Sequence, residues 1–168
     1  IYSLFALPHT PPKGAKEAGG DVLGLGALKM LKDRTFLVFA ICAFLISIPL
    51  SFYFTWGNAF LLETDRPKPT ALQTLCQASE IVVMLVMPWF IGRIGLRNVI
   101  LVGMAAWALR YVCFGSLSFP LIIVGLLLHG FCYCFVFVAS FIFADKKAPQ
   151  GMSASAQSFV AFIIWGLG

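Results

Sequence analysis

Two otherwise apolar stretches of the chain each carry a set of polar residues at helical spacing. The sets are Ser47, Ser51, Thr55 and Asn58 in the first stretch, and Gln73, Gln77 and Glu80 in the second. Residues separated by whole helical turns share one face of a helix. The spacing therefore predicts two helices with one polar face each. Two such faces predict a water-filled cavity that takes a small polar solute.

Glu80 can do the most chemistry among these residues, because it lies near the middle of its apolar stretch. A carboxylate at the centre of a bilayer is costly and normally faces a bundle interior or a wet cavity. A carboxyl group that is neutral in apolar surroundings and ionised when wet is suited to carrying a proton. The alternative is structural: Glu80 pairs with a cation on another stretch, for example Arg110.

His129 and Tyr133 form a third polar pair, at i and i+4 within a later apolar stretch. His129 is a candidate for proton coupling beside Glu80. The alternative is a buried neutral imidazole that bonds to a backbone carbonyl. Arg110 is close to the outer end of its own stretch, which favours a side chain that snorkels to the membrane surface.

The composition excludes most soluble proteins. Of the 168 residues, 60% are hydrophobic and 11% are charged, whereas soluble domains carry about 25% charged residues. No charged residue lies between Thr35 and Leu62 or between Tyr111 and Ala144. Apolar runs of this length indicate membrane spans. The chain is therefore predicted to be an all-α, polytopic transmembrane helix bundle, not a soluble enzyme or a nucleic-acid-binding module.

Five spans are predicted, at about residues 36–61, 70–91, 98–115, 119–144 and 153–168. Pro49 predicts a kink in the first span, and Gly92–Arg97 predicts a tight loop between the second and third. The fifth span is shorter than the roughly 20 residues that cross a bilayer. We therefore expect the chain to be part of a longer protein.

Residues 1–34 are interpreted as one region that precedes the bundle of residues 35–168. The region comprises the end of an earlier span, a proline-rich linker and a basic amphipathic segment on the lipid interface. Nine Lys and Arg residues lie in this region and in the loops of Arg93 and Lys146, against two on the opposite side. The positive-inside bias places the linker and both loops in the cytoplasm.

The sequence contains no motif typical of a membrane enzyme, neither His-Glu-x-x-His nor Gly-x-Ser-x-Gly. Cys132 and Cys134 form a C-x-C pair, but residues two apart on a helix point in different directions. We therefore predict a protein that is not an enzyme and that has no metal and no cofactor.

Several segments together resemble the nucleoside–proton symporter family of the major facilitator superfamily. Arg93–Arg97 is similar to the end of a superfamily loop motif. The more specific matches, in order and spacing, are Leu7–Pro12, Gln77–Glu80, His129–Tyr133 and Asp145–Pro149. The resemblance covers nearly the whole chain. It implies a major facilitator fold, of which the chain is the central loop and helices seven to eleven of twelve.

The resemblance also implies roles for single residues. Gln77 and Glu80 match the family's nucleoside-contacting pair on helix eight, and Asn58 matches a polar contact on helix seven. Tyr133 would lie beside the cavity on helix ten. The family often has an acidic residue after this tyrosine, where this chain has Cys134, so the resemblance leaves Glu80 as the main candidate for proton coupling.

The leading prediction is therefore a transporter that imports nucleosides with protons by alternating access across the bacterial inner membrane. Its partners would be a nucleoside, a proton and the lipid bilayer, without nucleic acid, and the full-length protein would be a monomer. Thr55 is added to the substrate-binding residues Asn58, Gln77, Glu80 and Tyr133. The alternatives are a carrier of another polar solute, such as a sugar, and a non-transporting receptor or assembly subunit.

A cytoplasmic gate is a further prediction, by analogy with loops of the superfamily. Arg93 or Arg97 would pair with Asp145 when the inner side of the protein is closed.

Overall fold

A computed structural model describes residues 25–64 and 68–167, which form helices joined by short turns. A 3₁₀-helix spans Leu25–Lys32. The helices that follow it are α1 (Arg34–Glu63), α2 (Pro69–Ile94), α3 (Leu96–Gly115), α4 (Phe119–Lys147) and the shorter α5 (Ser153–Leu167). Helices α1 to α4 are each long and apolar enough to cross a membrane. The predicted all-α transmembrane architecture is confirmed.

Local sequence explains where the helices begin and end. Asp33 caps α1, because its carboxylate accepts a hydrogen bond of 2.9 Å from the backbone N–H of Thr35. Pro69 lies in the first turn of α2, where its missing N–H is not needed. Gly95 separates α2 from α3 with a φ of +81°, a conformation that glycine adopts without strain. The predicted loop at Gly92–Arg97 is therefore too long, since helix continues up to either side of Gly95.

The outer surface of the bundle is apolar, as a lipid environment requires. Leu85 on α2 is 77% exposed and Val112 on α3 is 70% exposed. The 3₁₀-helix is two-faced: Ala27 and Met30 are buried, whereas Lys29 is exposed. The remainder of the predicted leading region, residues 1–24, lies outside the described residues, so its span and linker stay predictions.

Helix α1 continues through Pro49, the position of the predicted kink. The hydroxyl of Tyr111 on α3 donates a hydrogen bond of 2.6 Å to the carbonyl of Pro49. This hydrogen bond joins α1 to α3 at the level of the proline.

Helix α4 is irregular along its length. Its backbone keeps the α-helical hydrogen bonds of Leu128 to Val124 and Cys132, whereas residues Cys134–Val138 form a wider π-helical turn. The indole N–H of Trp107 on α3 donates to the carbonyl of Cys132 at 3.2 Å, just before the wide turn. Wide turns of this kind occur often at functional sites in helices.

Helices α2 and α4 are in close contact at Gly130. A Cβ atom at this position would overlap the carbonyl oxygen of Ser79, so only glycine fits. The N–H of Gly130 donates to the hydroxyl of Ser79 at 2.9 Å, and both residues are buried. This contact places residue 129 of α4 directly beside residue 80 of α2.

Candidate functional site

Three ionisable side chains from three helices form a continuous hydrogen-bonded chain. Nε2 of His129 on α4 lies 2.7 Å from Oε1 of Glu80 on α2. Nδ1 of the same ring lies 2.6 Å from Nη1 of Arg110 on α3. The imidazole therefore connects a carboxylate to a guanidinium. We call these three residues the Arg–His–Glu chain.

The Arg–His–Glu chain runs from the core of the bundle to an open face. Arg110 is 0% exposed and His129 is 3% exposed, whereas the side chain of Glu80 retains 28% exposure. Only the carboxylate end can therefore be reached by solute or water. The position of Glu80 on a partly open face agrees with the default for an intramembrane carboxylate.

Arg110 lies in a box of aromatic rings. Its guanidinium carbon is 3.7 Å from the ring centroid of Tyr53, 5.3 Å from that of Trp107 and 5.2 Å from that of Phe114. These distances permit cation–π attraction, which is strongest away from water. Nε and Nη2 of Arg110 have no hydrogen-bond partner among the described residues.

The snorkelling predicted for Arg110 and the alternative contact given for His129 are both absent from the structure. Arg110 does not snorkel, because α3 packs against α4 along this turn and the aromatic rings cover the guanidinium. His129 does not bond to a backbone carbonyl, because its two nitrogens face Arg110 and Glu80. The structural alternative for Glu80 named the right cation, but His129 stands between the two charges.

The polar face of α1 divides into a buried and an exposed part. Ser47 is buried, and its hydroxyl donates to the carbonyl of Phe44 on its own helix at 2.5 Å. Thr55 and Asn58 are exposed. The hydroxyl of Thr55 bonds to the carbonyl of Ser51 at 2.9 Å, whereas the amide oxygen of Asn58 accepts from another helix. Ser47 therefore does not belong to the cavity face.

Helices α1 and α2 are joined at this face by a pair of amides. Nε2 of Gln73 donates to Oδ1 of Asn58 at 3.4 Å. Gln77, one turn further along α2, is exposed, and Glu80 follows on the same face. The structure thus brings Asn58 into one polar line with Gln77 and Glu80.

Tyr133 lies beside His129 on the same face of α4. The two rings are 5.9 Å apart between centroids and 26° from parallel, and Tyr133 is half-buried. Tyr53 lies near the ring of His129 from the other side, with centroids 5.2 Å apart. Cys134 occupies the position at which the resemblance implies an acidic residue. It is buried, and its thiol faces the carbonyl of Glu80 at 3.6 Å.

A hollow of about 400 Å³ lies between α1 and α3. Its walls are aromatic and include Tyr53, Trp56, Phe60 and Tyr111. Tyr53 is shared with the box around Arg110, so the hollow adjoins the Arg–His–Glu chain. The rings of Trp56 and Tyr53 line this space and are wide enough to stack on a planar ligand.

The predicted gate residues are not paired in the described part of the chain. Asp145 accepts hydrogen bonds from the hydroxyl of Ser153 and, at 3.5 Å, from Nε2 of Gln157. A different ion pair is present, between Lys147 and Asp33 at 3.4 Å. The backbone N–H of Thr35 and the ammonium of Lys147 hold the pKa of Asp33 below its usual value of 3.8. The sequence analysis did not select Asp33, because an aspartate that caps a helix is common and does not by itself indicate an ion pair.

No three His, Cys, Asp or Glu side chains are grouped for metal binding within the ranges 25–64 and 68–167. Polar residues on helix faces, a carboxylate at membrane depth and an apolar outer surface instead define a class. This is a polytopic bundle of membrane-spanning helices with a polar site at membrane depth.

Comparison with known proteins narrows the class to a family. The family described as nucleoside H+ symporter matches residues 1–168. The chain is 42% identical to the putative nucleoside transporter YegT of Escherichia coli K12, over 100% of this chain and 41% of that protein. It is 26% identical to the nucleoside permease NupG of the same organism, over 100% of this chain and 44% of that protein.

The fold agrees with these matches. A crystal structure of the nucleoside transporter NupG superposes with a TM-score of 0.79 and 25% identity, over 96% of this chain and 44% of that chain. The chain belongs to the nucleoside H+ symporter family, which confirms the resemblance. It spans less than half the length of the curated relatives that it matches.

Proposed function

We propose that the full-length protein imports nucleosides together with protons by alternating access. The observation that carries the proposal is Glu80, a carboxylate at membrane depth that is partly open and hydrogen-bonded to a buried histidine. Family membership and the similarity to a putative nucleoside transporter and a nucleoside permease support the substrate class. Transporters of this type rock two bundles about a site at the midplane.

Five residues form the proposed nucleoside site: Asn58, Gln77, Glu80, Tyr133 and Thr55. A nucleoside offers ribose hydroxyls, which donate and accept, and a planar base. The carboxylate of Glu80 accepts from hydroxyls, and the amides of Gln77 and Asn58 both donate and accept. The half-buried ring of Tyr133 provides an aromatic surface for the base.

Proton coupling is assigned to Glu80, with His129 as its direct partner. The carboxylate would take up a proton when the site is open to the outside and release it to the cytoplasm. Cys134, the residue after Tyr133, is buried, so Glu80 bears this role without a second carboxylate next to Tyr133.

The protein is an integral membrane protein, and we place it in the bacterial inner membrane as a monomer with the leading region in the cytoplasm. Arg93, Arg97 and Asp145 form the cytoplasmic gate when the inner side closes. The structure described here would then correspond to a state in which Asp145 bonds to Ser153 and Gln157 instead.

Uptake of radiolabelled uridine and adenosine by cells that express the full-length protein tests the proposal. We expect uptake that depends on the proton gradient in the wild type. Glu80→Gln should reduce it by about tenfold or more, because a hydrogen bond to a charged group contributes about 1.5–3 kcal/mol. Glu63→Gln is the matched control, since it removes a carboxylate at the end of α1.

Each alternative outcome has a distinct meaning. Uptake that depends neither on the proton gradient nor on the carboxylate of Glu80 would identify a facilitator. Glu80 would then have a structural role. Absence of nucleoside uptake, with the protein present at the membrane, would remove the proposed substrate class.

A further inference from the structure

The contacts of His129 determine which of its nitrogens carries hydrogen. Arginine has only hydrogen-bond donors, so Nδ1 of His129, which faces Nη1 of Arg110 at 2.6 Å, must accept. A neutral imidazole then has its hydrogen on Nε2. This nitrogen faces Oε1 of Glu80 at 2.7 Å and donates to it. Both short contacts are satisfied by one tautomer.

The same contacts exclude a second proton on His129 while Arg110 is in place. An imidazolium would direct Nδ1–H at the N–H of the guanidinium, which would put two donors and two positive charges face to face. A proton that enters the site must therefore bond to Glu80. Oε1 is already an acceptor for Nε2–H, so the oxygen left for the proton is Oε2.

Oε2 is also the open end of the site. It makes no hydrogen bond to any described residue, and the side chain of Glu80 is 28% exposed. Tyr133 lies beside His129 on the same face, and Gln77 precedes Glu80 by one turn. Oε2 thus faces the space in which the proposed nucleoside site lies.

Burial of the Arg110 guanidinium costs free energy unless another charge balances it. It is fully buried, with Nε and Nη2 unpartnered among the described residues. No carboxylate in the ranges 25–64 and 68–167 forms a direct ion pair with it. The balancing charge is Glu80, reached through the imidazole. An isolated buried charge is strongly unfavourable, so this connection accounts for the presence of Arg110.

We propose that Arg110 and His129 are positioning residues that fix the tautomer of His129 and thereby assign both proton binding and ribose contact to Oε2 of Glu80. An O–H bond forms at Oε2 when the proton binds and breaks at the same atom when it leaves, while His129 keeps its single hydrogen throughout. This inference rests on the proposed nucleoside–proton symport.

Nitrogen NMR of the full-length protein, labelled at histidine nitrogens, tests the tautomer directly. His129→Gln identifies the signal of His129 by difference. We expect a neutral ring with hydrogen on Nε2 between about pH 5 and 8, the range in which an ordinary histidine titrates. In Arg110→Met the ring loses the donor at Nδ1 and stands beside a carboxylate, so an imidazolium signal should appear. Arg110→Lys, which keeps a cationic donor, should restore the neutral form.

Uptake kinetics test the consequence for the substrate. The side-chain nitrogen of Gln can take the place of Nε2, whereas that of Asn takes the place of Nδ1. His129→Gln should therefore keep the KM for uridine within about threefold of the wild type, and His129→Asn should raise it about tenfold, the effect of one lost hydrogen bond to a charged group. Arg34→Met is the matched control for loss of an arginine, and immunodetection at the membrane normalises every rate.

The outcomes separate this inference from the proposed function. A wild type that transports nucleosides but has hydrogen on Nδ1, or a doubly protonated His129, would overturn the inference and leave symport intact. Equal KM values for the two His129 variants would also overturn the assignment of the ribose contact. A wild type without nucleoside transport would instead remove the proposed function. If Arg110→Met does not reach the membrane, the spectrum of the wild type still decides the tautomer.

Discussion

Single residues at this site differ in how far the sequence predicted them. Helical spacing and the cost of charge in lipid were enough to select Gln77, Glu80, His129 and Tyr133, which the structure places on neighbouring faces of α2 and α4. The role of Arg110 was missed, because position along a span does not reveal which helix face packs inward. The pairing of His129 was missed for the same reason: both of its partners lie on other helices.

Gln77 offers a test at the residue scale. It is exposed on the polar face of α2 and makes no hydrogen bond to another described side chain. If it contacts the nucleoside through a neutral hydrogen bond, Gln77→Ala should raise the KM for uridine by about two- to tenfold. The maximum rate per molecule should change little. Gln150→Ala, which removes an exposed amide from a loop, is the control, and an equal KM in both variants would remove Gln77 from the site.

At the scale of helices, composition predicted the type and number of elements better than it predicted their ends. Long uncharged stretches predict transmembrane helices because length and hydropathy alone decide whether a segment can cross a bilayer. The turn at Gly95 and the wide turn of α4 at Cys134–Val138 depend on local backbone angles and on packing between helices. Apolar periodicity does not encode either feature.

The close contact of α2 and α4 gives a prediction about stability. Gly130→Ala would place a methyl group against the backbone of Ser79, and overpacking of this kind costs about 1–3 kcal/mol. Gly92→Ala is a matched control, because a Cβ at that helical position meets nothing within 4 Å. Thermal unfolding of the full-length protein in detergent should give a lower Tm for Gly130→Ala only. If the two variants melt alike, α2 and α4 are not held at the distance described.

We expect the same substitution to weaken transport, because it separates Glu80 from His129 as well as α2 from α4. Uridine uptake per molecule at the membrane should fall for Gly130→Ala even at temperatures where the protein is folded. Normal uptake with a lowered Tm would show that the distance between Glu80 and His129 does not matter for transport.

For the whole molecule, the sequence predicted the fold class and the family, whereas the ion pairs at the ends of the helices were not predictable. Asp33 and Lys147 are 114 positions apart and join the start of α1 to the end of α4. Such a pair follows from the arrangement of the bundle, which composition does not determine. The predicted pairing of Arg93 or Arg97 with Asp145 stays a prediction for another state of the protein.

Asp33 and Glu80 should therefore differ in their effect on the pH dependence of transport. The pKa of Asp33 is held below 3.8, mainly by the backbone N–H of Thr35. Stabilisation from this carboxylate is present at neutral pH and is lost only as the pH falls through that low value. Asp33→Asn should thus leave the pH profile of uridine uptake between about pH 5 and 8 unchanged, whereas Glu80→Gln should flatten it. A profile altered by Asp33→Asn would place a coupling group at the membrane surface.

The wide turn at Cys134–Val138 has a consequence for how α4 tolerates change in length. A π turn contains one residue more than an α turn, and each residue advances an α-helix by about 100°. The extra residue therefore rotates the half of α4 that ends at Lys147 about the helix axis, relative to the half that carries His129. Deleting one residue inside the wide turn would convert it into a regular helix, so α4 can lose a residue here while His129 keeps its position beside Glu80.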